Sequence, residues 1–513
     1  MPGIEQEVRT FSATTRGTWL STASMCLMAA TLVALFWFPV IRSFAYAQVN
    51  FDEGWNAYKQ AMTVSRIPLY GAPPGQFIGG TGYPPFSFHF IGWLGRLGSF
   101  TLAGRLVSLI SLIMTSVFVG LIVRCSGGTR RTALFALLLY AVGIAILAED
   151  HVGMNDPQLL GECFSAIGLY LYLKHPRSNL LLCLSALAFC IAGFTKQTLI
   201  TFPLAVALDL LLKSRKAFVI WAGALLSSAG SLLALTIFID GRYFFVHLLT
   251  PRAYLYEVGW RHILTYVSTF QAFLVLGTAW LICTLPSRIL FASAFFLSHL
   301  LAFLLAGGDG VDPNIFFNAF MMTVIVCGIA LADITSPFAR LRPAMPNSGV
   351  AAALIMALSM TVLINVPGHL VRDFREIQAL RSRENEFRST VQFVKGRSGP
   401  ALCESMLLCY EAGKALEYEP FFVRDQLKLD PVHDYKFIQL LRTQHFQTVQ
   451  INMSEDGKST DDEEPFTRNF IRELSQYYVV AMQTPHSVVC GAPSCPRMEI
   501  LIPKGDLQVS ASR

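Results

Sequence analysis

Residues 17–41 read GTWLSTASMCLMAATLVALFWFPVI, a stretch from Gly17 to Ile41 without a single charge. About twenty mostly apolar residues suffice for a helix to cross a bilayer, so this stretch is long enough. Ala45-Tyr46-Ala47 just beyond it has the A-x-A form of a signal cleavage site. The apolar core of a signal peptide is far shorter, however, so the segment reads as a membrane anchor. The pattern then recurs, with further apolar segments at 103–123, 132–148, 157–173, 178–194, 198–212, 217–239, 263–285, 289–306, 315–332 and 348–366. The short pair around Lys196 is the weakest of these. Of the 513 residues, 53% are hydrophobic and 14% charged, against roughly 25% charged in a soluble domain. Mean hydropathy is +0.49. The expected fold class is a polytopic α-helical membrane protein of about eleven transmembrane helices.

The net charge of +6 does not point to nucleic acid, because Lys and Arg sit singly between apolar runs and form no basic stripe with interleaved aromatics. Membrane topology accounts for it. With residues 1–17 on the cytoplasmic side, the inner loops contain Arg124, Arg130 and Arg131, then Lys174 and Arg177, then Lys213, Arg215 and Lys216, then Arg288, then Arg340 and Arg342. Basic short loops mark the inside. The alternate loops collect carboxylates: Asp52 and Glu53, then Glu149, Asp150 and Asp156, then Asp240 and Glu257, then Asp309 and Asp312, although that face also has Lys59, Arg66, Lys196, Arg242, Arg252 and Arg261. The reading is a protein of the cell (inner) membrane with three parts: a cytoplasmic N-terminus, a membrane domain over 18–366 with a long outer loop at 42–100, and an extracytoplasmic domain over 367–513.

That last domain opens with a charged segment, Val371 to Lys395, which reads as an amphipathic helix with Val371, Phe374, Ile377 and Leu380 on one side. Short apolar runs at Ala401–Tyr410, Phe446–Ile451, Tyr477–Met482 and Met498–Ile502, with a helical pattern near Tyr435–Leu441, suggest a small α/β fold. Four of the eleven cysteines lie in this domain, where an oxidising compartment permits disulfides. Cys490 and Cys495 flank a turn-like segment and are the favoured pair. Cys403 and Cys409 can bond only if the chain turns between them, because an extended run would hold their Cα atoms about 20 Å apart. No metal-type CxxC pair exists.

The outer loops carry the chemistry. The first reads Asn50-Phe51-Asp52-Glu53-Gly54-Trp55, later Tyr83-Pro84-Pro85, and leads to Gly104-Arg105. The second packs Glu149, Asp150, His151 and Asp156 into one turn. Asp156 before Pro157 reads equally as a helix cap. Glu162 would be costly facing lipid and is expected to face the bundle interior. Lys196 in Thr195-Lys196-Gln197 reads either as a snorkelling lysine or as a site cation. Together these residues describe an outward cavity of carboxylates and a cation, which suits glycosyl transfer from a lipid phosphate. One carboxylate would deprotonate an acceptor hydroxyl, and a cation or metal would stabilise the departing phosphate.

The order of Asp52-Glu53, Tyr83-Pro84-Pro85, Gly104-Arg105, Gly153-Met154-Asn155-Asp156-Pro157 and Thr195-Lys196-Gln197 resembles the bacterial GT-C membrane glycosyltransferases. These include protein O-mannosyltransferases, aminoarabinose lipid A transferases and rhizobial galacturonosyltransferases. The resemblance covers about residues 18–366. It implies that Asp52 is the catalytic base with Glu53 as neighbour and possible substitute. It also implies that Asp156 orients the acceptor or holds a divalent ion, and that Lys196 contacts the donor phosphate. Tyr83, Arg105, Asp150 and His151 are further candidates for substrate binding, and Glu53 would join Asp156 at any metal. Asp150 and Asp156 are six apart and form no DxD pair, which leaves metal dependence open. The expected partners are a polyprenyl-phosphate sugar donor, membrane lipids and an envelope glycan, lipid or protein as acceptor. A lipid or glycan transporter would show inverted repeats and midplane charges, and neither is evident; a non-catalytic assembly protein is the remaining alternative.

Overall fold

In a computed structural model of the chain the described residues are 2–73, 80–285, 287–335, 347–429, 432–453, 468–484 and 497–505. All eleven apolar segments are helical. The first is α1 (Pro2–Ser43). The long outer loop folds into two helices of its own, α2 (Asp52–Val64) and α3 (Phe86–Gly95). The bundle continues with α4 (Phe100–Cys125), α5 (Arg130–Leu147), α6 (Gln158–Lys174), α7 (Asn179–Thr195), α8 (Thr201–Lys213) and α9 (Arg215–Asp240). After a short α10 (Phe244–Leu248) come α11 (Tyr256–Thr284), α12 (Ile289–Leu305) and α13 (Phe317–Thr335), and then a helix at Asn347–Leu363.

Among the described residues six helices are long and apolar enough to cross a membrane unaided, or seven if the bent pair Ala352–Leu363 and Val366–Gly396 counts as one. Helices α6, α7, α8 and α12 are shorter, at 13 to 17 residues. The bend of 41° falls where Pro367 enters the second helix at its first turn, because proline has no N–H to continue the preceding ladder. Burial separates centre from rim. The Pro313–Asp333 segment is 94% buried and forms the middle of the bundle, whereas Arg215–Asp240 is 6% buried. Exposed Val219, Leu226 and Phe238 on α9 are where lipid would lie. As expected, Glu162 faces inward: it is fully buried and accepts hydrogen bonds from Gln158 at 2.7 Å and Asn318 at 3.0 Å.

The C-terminal domain holds a four-stranded sheet in the order β1-β2-β4-β3, formed by Ala401–Cys403, Thr448–Met453, Tyr478–Thr484 and Arg497–Pro503. β1 and β2 run parallel and the other pairs antiparallel. Alternation along each strand builds two cores. Ala401, Cys403, Met498 and Ile500 pack with Phe387, Val391 and Val394 of the Val366–Gly396 helix, while Leu402, Val449, Ile451 and Leu501 pack with Phe437 and Phe470. The expected run Ala401–Tyr410 is divided: after β1 the chain turns and starts a short helix at Met406–Glu411. This turn brings the Cα atoms of Cys403 and Cys409 to 5.9 Å, and the two form a disulfide. Cys490 and Cys495 lie outside the described residues. The Val366–Gly396 helix also departs from its expected face. Val371 and Phe374 point outward, while Asp373, Glu376 and Arg383 turn inward, and Glu376 pairs with Arg383.

Candidate active site

The outer helix α2 positions Asp52 and Glu53 in its first turn, where the helix dipole favours negative charge. Two close approaches hold α2 in place. A Cβ on Gly54 would lie 2.1 Å from the Leu407 amide of the C-terminal domain, and one on Gly104 of α4 would lie 1.8 Å from Asn155 Oδ1. Both positions therefore require glycine. Asn155 in turn exchanges hydrogen bonds with Gln60 of α2 at 2.8 and 3.0 Å.

The two adjacent carboxylates have different surroundings. Glu53 is fully buried and grips Arg105 through both oxygens, at 2.7 and 2.6 Å. It also accepts the amides of Val49 at 2.8 Å and Asn155 at 3.1 Å. Arg105 spends its remaining donors on the carbonyls of Ala45 at 2.8 Å and Ala47 at 2.6 Å. This pair fastens the first and second outer loops together, and neither residue faces the cavity described below. The geometry thus runs against Glu53 as substitute base or metal ligand and against Arg105 as a substrate contact, because their polar atoms are already engaged.

Asp52, half-buried, faces a cavity with two lobes that share Asp52, Tyr83, Gln197 and Arg252. The larger lobe, about 330 Å³, adds Lys196, Asp312 and the apolar Leu304, Leu305 and Ile315. The smaller, about 120 Å³, is roofed by the C-terminal domain through Met406, Glu419, Phe421 and Phe422. Phe421 stacks on Phe51 with ring centroids 4.0 Å apart. Arg424 of the same segment pairs with Asp309 between α12 and α13.

Lys196 is the residue that ends α7. Its backbone is extended, its N–H bonds to Ala192, and its ammonium sits over the Tyr83 ring, 5.1 Å from the centroid. The Gln197 side chain donates to the Gly82 carbonyl at 2.8 Å and ties this break to the first outer loop. Burial pushes the Asp52 carboxyl well above the usual carboxylate range; Asp312 and Asp156 push the same way, and Lys196 and Arg252 act against them. Burial likewise lifts Glu419 to about 7, against the pull of the Phe422 amide, Arg252 and Lys59.

The remaining expected residues are placed as follows. Asp156 is buried; its Oδ1 accepts the Gln158 amide at 2.8 Å at the start of α6, and its Oδ2 has no hydrogen-bond partner among the described residues. One oxygen thus bonds locally, just before the helix, while the other is left without a hydrogen-bond partner, and the residue is close enough to act on Asp52. Asp150 is 61% exposed and pairs with Arg42 at 3.2 Å, away from the cavity. His151 is buried behind it and lines a different cavity. Among the described residues no three His, Cys, Asp or Glu side chains converge as they would around a metal ion. Of the two expected metal ligands, Glu53 is bonded through both oxygens to Arg105.

In the sequence Asp312 stands only among the outer-loop carboxylates and Arg252 only as an alternative to Lys196 at the phosphate, while nothing there marks Glu419, Phe421 and Phe422 as site residues. The Thr250-Pro251-Arg252 and Glu419-Pro420 turns were the available signals.

The sequence matches no protein-family description and no curated protein significantly. Solved structures do match. ArnT from Cupriavidus metallidurans bound to undecaprenyl phosphate aligns over 93% of this chain and 98% of its own, with 13% identity and a TM-score of 0.52. Its apo state gives 12% identity and 0.54 over the same shares. An Archaeoglobus fulgidus oligosaccharyltransferase, tethered to an acceptor peptide, aligns over 90% of this chain and 72% of its own, with 11% identity and 0.52. The order of outer-loop motifs and the near-complete structural alignment agree, and the chain has the GT-C fold of these membrane proteins.

Proposed function

We propose that this protein is a membrane glycosyltransferase that moves a sugar from a polyprenyl-phosphate donor to an acceptor hydroxyl, with Asp52 as general base. The observation that carries this reading is one half-buried carboxylate flanked by Lys196 and Arg252 in a single cavity whose wall is partly apolar. The donor phosphate sits between Lys196 and Arg252, and its prenyl tail leaves past Leu304 and Leu305, of which Leu304 is exposed. The acceptor enters the smaller lobe under the C-terminal domain, against Phe421 and Phe422. The acceptor oxygen bonds to the anomeric carbon as the sugar–phosphate bond breaks. The electron pair goes to the phosphate, stabilised by the two cations, and the acceptor proton goes to Asp52. A base with a raised pKa suits this step, since proton transfer is most effective when the pKa lies near the working pH. Asp156 lines neither lobe and acts on this step through its charge, which helps to hold the Asp52 carboxyl above the usual range. The likeness to ArnT, solved with undecaprenyl phosphate, supports the donor class. The basic inner loops and the Cys403–Cys409 disulfide support a non-cytoplasmic site.

The test is sugar transfer by purified protein in lipid, with a polyprenyl-phosphate-sugar donor and an envelope extract as acceptor. Asp52→Asn should reduce turnover by roughly 10²–10⁴-fold while retaining donor binding. Undiminished transfer by this variant would remove Asp52 from the chemistry. A scaffold or flippase would lose neither binding nor transport through this change.

A further inference from the structure

Asp52 must lose the acceptor's proton before it can act again. With a lipid donor in the larger lobe and an acceptor in the smaller, both openings onto Asp52 are filled by substrate. A second cavity of about 200 Å³ lies behind the site, lined by Asn50, Glu149, Asp150, His151, Asp312 and His369 among others. One of these residues, Asp312, connects it to the base. It lines both this cavity and the donor lobe. On the far side of Asp312 stands His151. Its ring is 3% exposed, its Nε2 is 3.9 Å from Asp312 Oδ2, and neither ring nitrogen has a hydrogen-bond partner among the described residues.

A buried imidazole without partners is costly unless it has a task. Its backbone is pinned, since the His151 carbonyl accepts the Ser108 hydroxyl at 3.0 Å and its amide bonds to Ala148. The Phe317 ring of α13 packs edge-on against the imidazole. The other charges around this cavity already have partners: Arg372 and His369 approach Glu149, and Arg42 bridges Glu149 and Asp150. Asp150, 61% exposed, puts this cavity in contact with solvent.

From this arrangement we infer that Asp312 and His151 form a proton-exit path, carrying the acceptor proton from Asp52 to the second cavity and so to solvent. The inference rests on the glycosyltransferase reading above. The proton taken from the acceptor hydroxyl passes from the Asp52 carboxyl to Asp312, and from Asp312 to His151 Nε2. The imidazolium then releases a proton to water, and no other bond changes. The gap of 3.9 Å is closed by a small side-chain rotation or bridged by one water. His151 acts through Asp312 and touches no substrate.

The experiment is rapid-quench sugar transfer by full-length protein in lipid nanodiscs, comparing the first turnover with the steady state. In His151→Ala the first turnover should stay within about twofold of the parent, because it does not wait for the acceptor proton to leave Asp52. The steady-state rate should fall by roughly tenfold or more, in line with the loss of a proton-transfer group, and added imidazole should restore much of it. A merely structural histidine predicts a slowed first turnover and no rescue by imidazole. Either that result or an unchanged steady state overturns the path. If His151→Ala does not fold, His151→Gln serves with the same readouts. A parent protein that transfers no sugar at all would instead refute the glycosyltransferase reading.

Discussion

Replacing Lys196 by Met tests the donor-phosphate assignment most directly. Met fills similar space, so the folded state loses little beyond the contact of the ammonium with the Tyr83 ring, worth about 0.5–1 kcal/mol. Shedding the cost of a buried charge partly offsets that loss. The catalytic loss should be larger. A unit charge about 4 Å from a phosphate oxygen is worth about 4 kcal/mol at an effective dielectric near 20. Arg252 lines the same lobe and retains part of this stabilisation. The expected loss is therefore about 2.7 kcal/mol, or about 100-fold in kcat/KM. Lys196→Arg should keep activity within about tenfold, since it preserves the charge but not its compact shape.

A second signature comes from Asp52, because Lys196 is one of two cations that act against its rise. The base works deprotonated, so activity is lost as pH falls through its raised pKa. Removing the cation raises that pKa further and moves the acidic limb of the pH profile upward. Transfer from a polyprenyl-phosphate-sugar would be followed across pH beside thermal unfolding in the same lipid. Parental rates in Lys196→Met, with an unmoved acidic limb, would refute the phosphate role and leave a snorkelling lysine.

Arg105→Met should destabilise the protein by about 3–5 kcal/mol, because it leaves Glu53 buried without its cation; an unchanged melting temperature with a raised KM would instead return Arg105 to the substrate. Asp52→Asn should melt at or above the parental temperature near neutral pH. A carboxyl whose folded pKa is raised opposes folding while ionised, and the advantage should vanish as pH falls toward the ordinary carboxylate range; a lower melting temperature near neutral pH would contradict the crowding of carboxylates around Asp52. Maleimide labelling of unfolded but unreduced protein should spare Cys403 and Cys409 and modify both after reduction; labelling of both without reductant would exclude the bridge.

Eleven helices, their approximate ends and most strands of the C-terminal domain were legible in the sequence, because lipid and the alternation of a sheet impose periods that a single strand of text retains. Asp52, Tyr83 and Lys196 could likewise be picked out as candidates for one site, and the three line one cavity. Their roles could not be separated from those of their neighbours. Asp52 and Glu53 are adjacent and chemically alike, yet one faces a cavity and the other is locked to Arg105, 52 residues away. Which carboxylate is free depends on where α4 and the Gly153–Asp156 turn approach α2, a long-range fact that no local pattern encodes. The same holds for Glu419 and Phe421, which reach the cavity only because the C-terminal domain docks on Gly54. Composition and periodicity decided the solvent and the helices; close packing between distant segments alone decided which charges were left unpaired to do chemistry.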